Sequence, residues 1–479
     1  MIFRRLRRLS LLVAAACFFV PASAVAQEEP PGEHSPNMSY VKNIPYEARN
    51  GDIPNFGTDQ EFTKIGGKQY GLFGSYRNGM QIVDVSKPAS AKLVSVYDCG
   101  ITQGDVQIFR QADERGKVFA TYTSDTYGDG TSPCYLDAER LGFDAIDEEA
   151  EEGRNGTFIV DVTNPKAPKT VSFVPVEQGS HNMTVHPSGN WLYNSNSDLI
   201  TSIEPAIEYF DISNPRAPMK AGELDLPPRP GLGTESHDIS FSDDGTRAYS
   251  AALSQGVIID TTDPGAPEII TSFLDPSINV WHQMEDVTVG DRQFLIAEDE
   301  VAGAAGGPIC PSGGVHVYDI TGDKVENPEK VGYWNIDDVG AEADPLATCT
   351  AHVFQLHEDA QVMTIAYYTG GVRVVDFSDL ASVSLGENNP AGGMKQIGYY
   401  QLEDADSWSA KTTPIERGEP FYVYGNDMAR GLDIYRFDWD AEEAASKGQW
   451  LTPAEALART TKLSAGSTDL DFVCLALAR

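Results

Sequence analysis

The sequence predicts an all-β fold: a seven-bladed β-propeller of four-stranded antiparallel blades with a short C-terminal helical tail. Two observations support this prediction. A short strand signature recurs along most of the 479 residues, and Gly, Asp and Pro residues divide each copy into four strand-length segments. Because a four-stranded unit has two apolar faces, neighbouring units must pack against each other, and seven of them can close into a ring.

The recurring signature reads hydrophobic-x-hydrophobic-Asp at the end of a strand. Its seventh copy, GLDIYRF, has Arg436 where Asp is expected. In the other copies the aspartate precedes a turn, which predicts that its carboxylate caps that turn and takes no part in catalysis. These residues are Asp84, Asp161, Asp211, Asp260, Asp319 and Asp376.

One complete unit runs from 238 to 273. The segments 238–242 and 247–253 flank the turn sequence DDG, and two further strand-like segments follow at 256–261 and 268–273. Gly and Asp supply the positive φ that a tight hairpin requires, and the Asp-Pro and Ala-Pro steps interrupt the strand pattern before the last segment. The unit therefore predicts one blade.

The N-terminus has the features of an exported protein. Residues 1–26 combine an arginine-rich start, an apolar run and the sequence Ala24-Val25-Ala26, which is typical of a signal peptide cleaved after Ala26. Lipid attachment at Cys17 is disfavoured because Ala14 stands three residues before it, where Leu is usual. We expect a secreted or periplasmic protein with an extended segment at 27–55, the propeller at 56–438, a helical tail at 439–479 and no membrane span.

The charge limits the partners. The formal net charge of −36 becomes −40 when the leader, which contains four arginines and no acid, is removed. Such a surface repels phosphate backbones and anionic lipids, which excludes nucleic acids and makes membrane docking unfavourable. We expect a monomer whose partner is a protein or a glycan of the cell envelope or exterior.

Five cysteines follow the leader, and an exported chain is expected to form disulfides. Cys310 and Cys349 flank one repeat in Gly- or Ala-rich insertions, so we pair them. Cys99 then pairs with Cys134, and Cys474 stays free. No CxxC motif or Cys/His spacing predicts a zinc site.

The phrases QIVDVSKP, FIVDVTNPKAP and RVVDFSDL resemble the LVIVD repeat of exported bacterial β-propeller proteins. The resemblance covers about 56–438 and implies an extracytoplasmic propeller without implying a particular activity. Arg436, the missing glycine before IEYFD and two long insertions depart from the pattern. The phrase YFDISNPRAPMKAGEL is also similar, over a short length, to selenium-binding, methanethiol-oxidising propellers.

Both insertions lie between the second and third strands of a unit. The insertion at 125–156 is acidic and has the apolar spacing of a short amphipathic helix, and the one at 300–313 is rich in glycine. Insertions on one face of a propeller often form a binding surface. After the last repeat, Thr452, Pro453 and Glu455 have the pattern of a helix N-terminus with a capping box.

Candidate functional residues recur at the entry to the first strand of each unit, which should line the central channel. Alignment on the third strands puts His181, His237, Glu285 and His352 at one position, with His282 three residues before Glu285. Loops after the second strands reach the same end of the channel. The further polar residues predicted at this channel mouth are Asp105, Asp238, Asp286, Asp299 and Asp427.

Converging imidazoles and carboxylates are suitable ligands for a divalent transition metal. The candidate ligands are His181, His237, His282 and His352. Glu285 or Glu298 is a candidate further ligand or general base. The structural alternative is that a residue repeating with the blade caps a neighbouring backbone amide. We expect the other histidines of the repeats to be turn or core residues, namely His186, His316 and His357.

Two functions therefore remain open. The first is an exported scaffold that presents a loop-built face to a protein, glycan or envelope partner. It is favoured because the sequence contains no GxSxG, HExxH or nucleotide-binding loop motif. The alternative is a metal-dependent hydrolase or oxidase with its site at the channel mouth. A propeller fold by itself does not discriminate between them.

Overall fold

A computed structural model of the protein describes residues 30–464 except 50–51, 151, 177–178, 197–205, 230–233, 301–311, 337–348, 384–391 and 440–447. The predicted signal peptide, Cys310 and Cys474 lie outside the described residues. No helix among the described residues is both long enough and apolar enough to cross a lipid bilayer.

The seven-bladed propeller is confirmed, and each blade contains four antiparallel strands. The strands are given from the channel outwards. Blade 1 contains Gly57–Ile65, Lys68–Ser75, Met80–Asp84 and Lys92–Tyr97, and blade 2 contains Gln103–Phe109, Phe119–Ser124, Gly156–Asp161 and Lys169–Pro175. Blade 3 contains Asn182–Val185, Trp191–Ser195, Ala206–Asp211 and Met219–Asp225. Blade 4 contains Asp238–Phe241, Arg247–Ala252, Gln255–Asp260 and Glu268–Phe273, and blade 5 contains Trp281–Val289, Arg292–Asp299, Val315–Asp319 and Glu329–Ile336. Blade 6 contains His352–His357, Val362–Ala366, Val372–Asp376 and Lys395–Leu402.

Blade 7 is built from both ends of the chain. Its inner strands are Ser407–Thr412, Phe421–Asp427 and Gly431–Phe437, and Met38–Ile44 supplies the outermost strand by pairing with Gly431–Phe437. This pairing joins the N-terminal segment to the last repeat and closes the ring of blades. Two short strands also extend neighbouring blades, because Gly32–His34 pairs with the outer strand of blade 6 and Gly448–Leu451 with that of blade 5.

Helices lie outside the blades. Pro133–Leu141 is in the acidic insertion, where a short amphipathic helix was predicted, and Ile146–Asp147 pairs with Glu152–Gly153 behind it. The C-terminal helix Pro453–Ser464 begins with the predicted capping box, since the carboxylate of Glu455 accepts a hydrogen bond from the backbone N–H of Thr452 at 2.9 Å. Single 3₁₀ turns occur at Pro88–Ser90, Gly322–Glu326 and Ser378–Ser382.

Apolar side chains fill the space between adjacent blades. Between blades 4 and 5, for example, Tyr249 and Ile258 pack with Trp281, Leu295 and Tyr318, and all of them are buried. Aromatic rings of this size bury much apolar area at each contact, so the hydrophobic effect holds the blades in a ring.

The signature aspartates cap turns, as predicted. The Oδ1 atom of each accepts a hydrogen bond from the backbone N–H two residues later, for example from Thr262 to Asp260 at 2.8 Å and from Thr321 to Asp319 at 2.9 Å. The same bond is present at Asp84, Asp161, Asp211 and Asp376. This local chemistry explains why the residue recurs with the blade.

The predicted disulfide between Cys99 and Cys134 is present, with Cα atoms 5.1 Å apart. It joins the segment entering blade 2 to the helix Pro133–Leu141 in the insertion of that blade. Cys349 is a buried disulfide cysteine, but the predicted partner, Cys310, lies outside the described residues.

The side chain of Asn426 lies where the ring of blades closes. Its amide donates to the carbonyls of Asp59 and Gly74 at 3.0 and 2.9 Å, and its Oδ1 accepts from the Tyr46 hydroxyl at 2.7 Å. It therefore joins the N-terminal segment, blade 7 and blade 1. Asn426→Ala leaves several buried polar groups unpaired and should destabilise the protein by about 2–4 kcal/mol, measured by urea unfolding. Exposed Asn327→Ala is the control, and equal midpoints for the two variants would contradict this role.

Candidate functional site

The first strands of the blades surround a central channel that contains a cavity of about 760 Å³. The two ends of the channel are defined by the direction in which these strands run. His282 and His352 line the cavity where the strands begin, and Asp286 and Glu358 line it near the strand ends. We call these the histidine end and the opposite end of the channel.

Four histidines from consecutive blades form a continuous arc at the histidine end. The ring centroids of His181 and His237 are 4.2 Å apart, those of His237 and His282 are 4.1 Å apart, and those of His282 and His352 are 4.4 Å apart. All four side chains are buried. The structure thus brings together the four histidines singled out in the sequence.

Three imidazoles of the arc have a hydrogen-bond partner at Nδ1, and that of His282 lies against a carboxylate. His181 contacts the carboxylate of Asp125 at 2.6 Å, and His282 contacts the carboxylate of Glu298 at 2.6 Å. The other two donate to the backbone of the next blade: His237 to the carbonyl of His282 at 3.2 Å, and His352 to the carbonyl of Trp408 at 2.6 Å. An Nδ1 proton held in this way leaves Nε2 as a lone-pair donor.

The Nε2 atoms have different surroundings. That of His237 has no hydrogen-bond partner among the described residues, and that of His181 accepts from the Gln103 amide at 3.3 Å. The Nε2 atoms of His282 and His352 lie 3.5 and 3.7 Å from the carboxylate of Glu300.

Glu300 stands next to the arc and completes a group of potential metal ligands. Ligand atoms of His237, His282 and Glu300 all lie within 4.8 Å of one another. The Tyr368 hydroxyl donates to Glu300 at 2.7 Å. The Tyr368 ring also contacts the ring of His352, with centroids 4.6 Å apart.

Burial disfavours the charged form of three imidazoles of the arc. Burial, with repulsion from His181 and His352, holds the pKa of His237 well below its usual range, and burial does the same to the pKa of His282. Burial lowers the pKa of His352 to about 3. Neutral imidazole is the form that binds metals, so these rings need not lose a proton to become ligands near neutral pH.

Carboxyl groups line the channel beside the arc. Lys411 lies between two of them, 2.9 Å from Asp59 and 2.9 Å from Glu61. Burial raises the pKa of Asp238 to about 7 and that of Glu285 to about 8, and burial with repulsion from Asp59 raises the pKa of Asp105. Asp238 and Glu285 therefore exchange protons near neutral pH.

Several channel residues also join neighbouring blades. Asp59 accepts a hydrogen bond from the backbone N–H of Val106 at 3.2 Å, and Asp105 accepts one from Met183 at 3.0 Å. The structural role considered for the repeated polar residues is therefore present beside any functional one.

Other predicted residues have different positions. Asp286 lines the channel near its opposite end and accepts from Gln293. Asp299 and Asp427 are the last residues of second strands, where their carboxylates accept hydrogen bonds from backbone N–H groups of nearby loops, including those of Val280 and Asp406. Neither of these two lines the cavity.

The structure of blade 5 shows that the sequence alignment placed the wrong residue of this blade beside the histidines. The equivalent of His237 in this blade is His282, whose ring belongs to the arc, whereas Glu285 lies three residues further along the first strand. The first strand of blade 5 has nine residues, whereas that of blade 4 has four, so His282 lies further from the following turn than the spacing of the other repeats predicts. Glu298 lies behind His282, at Nδ1, and not on the Nε2 side.

Sequence reasoning missed Glu300, Tyr368 and Lys411. Glu300 is the last residue of the acidic run Glu298-Asp299-Glu300, which ends a second strand before a long insertion, and this run was the available signal. The remaining histidines lie outside the arc: His186 contacts the turn carbonyl of Gly245; His316 accepts from Lys330; His357 contacts Thr412.

Comparison with known proteins supports the repeat. Residues 74–99 match the family model of the LVIVD repeat, which confirms the resemblance seen in the sequence. No curated protein matches the chain.

Similar solved structures are distant. The β-propeller domain of Cps50 (Swd1) from Myceliophteria thermophila has 9% identity and a TM-score of 0.48, covering 80% of this chain and 97% of that one. A protein of unknown function from Desulfotomaculum acetoxidans has 13% identity and a TM-score of 0.42, covering 71% and 90%. A putative 6-phosphogluconolactonase from Bacteroides fragilis has 12% identity and a TM-score of 0.45, covering 85% and 100%.

The protonation of Glu285 predicts how the stability of the protein depends on pH. Its pKa of about 8 in the folded protein exceeds the value of about 4.3 for an exposed glutamate. The folded state therefore binds more protons than the unfolded one between these values, and the protein loses stability as pH rises. From about pH 7 to about pH 8.5, Glu285→Gln should lose less stability than the wild type, by up to about 1 kcal/mol. Thermal unfolding followed by circular dichroism measures this difference.

The matched control is Glu268→Gln, because Glu268 is exposed on the outermost strand of blade 4. It should follow the wild type at both pH values. An equal loss of stability in Glu285→Gln and the wild type would mean that Glu285 is already ionised at pH 7.

Proposed function

We propose that the protein binds a divalent transition metal at the histidine end of the channel and is a metal-dependent hydrolase or oxidase. His237, His282 and Glu300 are the proposed ligands, and His181 and His352 flank them. The observation that carries this proposal is the arrangement of the arc, in which the Nδ1 atoms of His181, His237 and His352 have hydrogen-bond partners and that of His282 lies 2.6 Å from the carboxylate of Glu298. Metal-binding histidines are oriented in this way, because a hydrogen bond at one nitrogen fixes the other as the donor to the metal.

Burial of an uncompensated acid also favours a cation here. Glu298 is fully buried, and neither carboxylate oxygen accepts a hydrogen bond from the described residues, although Oε2 lies 2.6 Å from Nδ1 of His282. Burial and the neighbouring acids Glu300 and Asp299 hold the pKa of Glu298 well above its usual range. A cation at Nε2 of His282 would stabilise the carboxylate form of Glu298, which in turn would make the imidazole a stronger ligand.

A metal at this site would supply Lewis-acid or redox chemistry. The protein's own residues provide the other requirements of a catalytic site. The Tyr368 hydroxyl orients Glu300, and Glu285, with its pKa near 8, can accept or donate a proton in the adjoining channel. The cavity beside the arc is large enough for a small substrate.

A scaffold that binds a protein, glycan or envelope partner is the second candidate function. The acidic insertion favours it, because Tyr127, Leu136 and Leu141 are about half exposed there and the disulfide to Cys99 fixes the helix that carries the two leucines. Exposed apolar side chains on a rigid surface are typical of interaction sites. This function does not depend on the histidine arc.

Metal content tests the first proposal. Protein purified from an exported preparation without chelator should contain about one transition-metal ion per chain, measured by elemental analysis. His237→Gln and Glu300→Gln should lose most of the metal. Glu298→Gln should weaken metal affinity by about 10- to 100-fold, as expected when the partner of a metal-binding histidine is removed.

The control is His34→Gln, because His34 is exposed and lies outside the arc; it should keep the metal. Circular dichroism must show that all variants are folded. Absence of metal from the wild type, or equal metal in the wild type and the folded arc variants, would overturn the proposal and favour the scaffold function.

A further inference from the structure

A fully buried arginine faces the interface between blades 5 and 6. Arg373 lies on the third strand of blade 6 and is 0% exposed. It is directly opposite Ile365, whose side chain belongs to the apolar core that these two blades share. Directly opposite residues of an antiparallel pair point to the same face of the sheet, so the guanidinium group of Arg373 enters that core.

The hydrogen bonds of this guanidinium group are incomplete. Nη2 of Arg373 donates to the carbonyl of Gly370 and, at 3.5 Å, to the side-chain oxygen of Gln401. Nε and Nη1 have no hydrogen-bond partner among the described residues. Because a guanidinium group has five N–H donors and no acceptor, whatever binds Nε and Nη1 must be an acceptor.

The charge of Arg373 also lacks a counter-ion among the described residues, since none of its nitrogens contacts a carboxylate. Burial lowers the pKa of Arg373 to about 10, so the group keeps its charge at neutral pH. Glu33 attracts this charge but is exposed. Buried water would satisfy the N–H groups without neutralising the charge, which is costly in an apolar core.

A second donor lies beside the arginine. Tyr367 is fully buried in the same interface, and its hydroxyl has no hydrogen-bond partner among the described residues. Burial holds the pKa of Tyr367 well above its usual range, although the charges of Arg373 and Arg459 act in the opposite direction. Glu298 also interacts with Tyr367, but it forms no ion pair with Arg373. The hydroxyl therefore lies in a region of positive charge within a strongly acidic protein.

We propose that Arg373 binds a monatomic anion, chloride under natural conditions, in the interface between blades 5 and 6, with the hydroxyl of Tyr367 as a further donor. A halide ion accepts hydrogen bonds from several directions and is close in size to a water molecule. Arg373 does not line the channel cavity, which disfavours a larger anion such as phosphate. This site is independent of the proposed metal site.

Thermal unfolding tests the halide site. Bromide replaces gluconate, an anion too large for the core, at constant ionic strength. Because an ion that binds only the folded state stabilises it, bromide should raise the unfolding temperature of the wild type by about 3 °C relative to Arg373→Met. Tyr367→Phe should show a smaller rise than the wild type. The control Arg140→Met should behave as the wild type, because Arg140 is exposed on the insertion helix.

Bromide also allows direct detection in the wild type. Anomalous diffraction from crystals grown in sodium bromide should show an ion in contact with the guanidinium group of Arg373, which does not require any variant to fold. Water or a carboxylate of the chain at Nε and Nη1, or equal effects of bromide on the wild type and folded Arg373→Met, would overturn the proposal. Folded His237→Gln should keep the bromide effect, so this test does not depend on metal binding.

Discussion

The structure depends on how the propeller satisfies the inner edges of its blades. The first strand of each blade is paired on one side only, so its other edge directs backbone N–H and C=O groups towards the channel. Side chains of adjacent blades bind these groups, as Asp59 does for Val106 and Gln283 for Phe354. Because each buried unpaired group would cost about 1–3 kcal/mol, an apolar channel would destabilise the ring. The channel must therefore be polar before any function is considered.

Because the channel must be polar, one residue can cap a backbone group and also serve a function. An imidazole or a carboxylate needs only one atom to cap a backbone group. His237 uses Nδ1 for the carbonyl of His282 and keeps Nε2 unpaired, and Asp105 uses Oδ2 for the N–H of Met183. The remaining atoms face a space enclosed by the same strands, so capping residues also form a pocket with convergent polar groups. The two interpretations of the repeated histidines are therefore not exclusive.

The sequence predicted those features that arise from local chemistry. The blades and the capping aspartates were predictable because strand alternation and turn residues recur in each copy. The closing strand Met38–Ile44 was not, because it carries no copy of the signature and pairs with residues almost 400 positions away. The histidines were found because they recur, but the longer first strand of blade 5 displaced its alignment. Glu300 carries no recognisable motif, so only its position in three dimensions relates it to the arc.

The distribution of the histidines argues for a local function. A cause that acts in every blade would place an imidazole at every equivalent position, yet the histidines occupy only blades 3 to 6, without a gap. Gln103 contacts one end of the arc in blade 2, and Trp408 contacts the other end in blade 7, so the ring closes without imidazoles there. Burial and the neighbouring acids raise the pKa of Glu298, so a charged carboxylate beside His282 is costly unless a cation is bound. Capping alone explains the polarity of these positions, but it does not explain why imidazoles and buried acids are concentrated on one side of the channel.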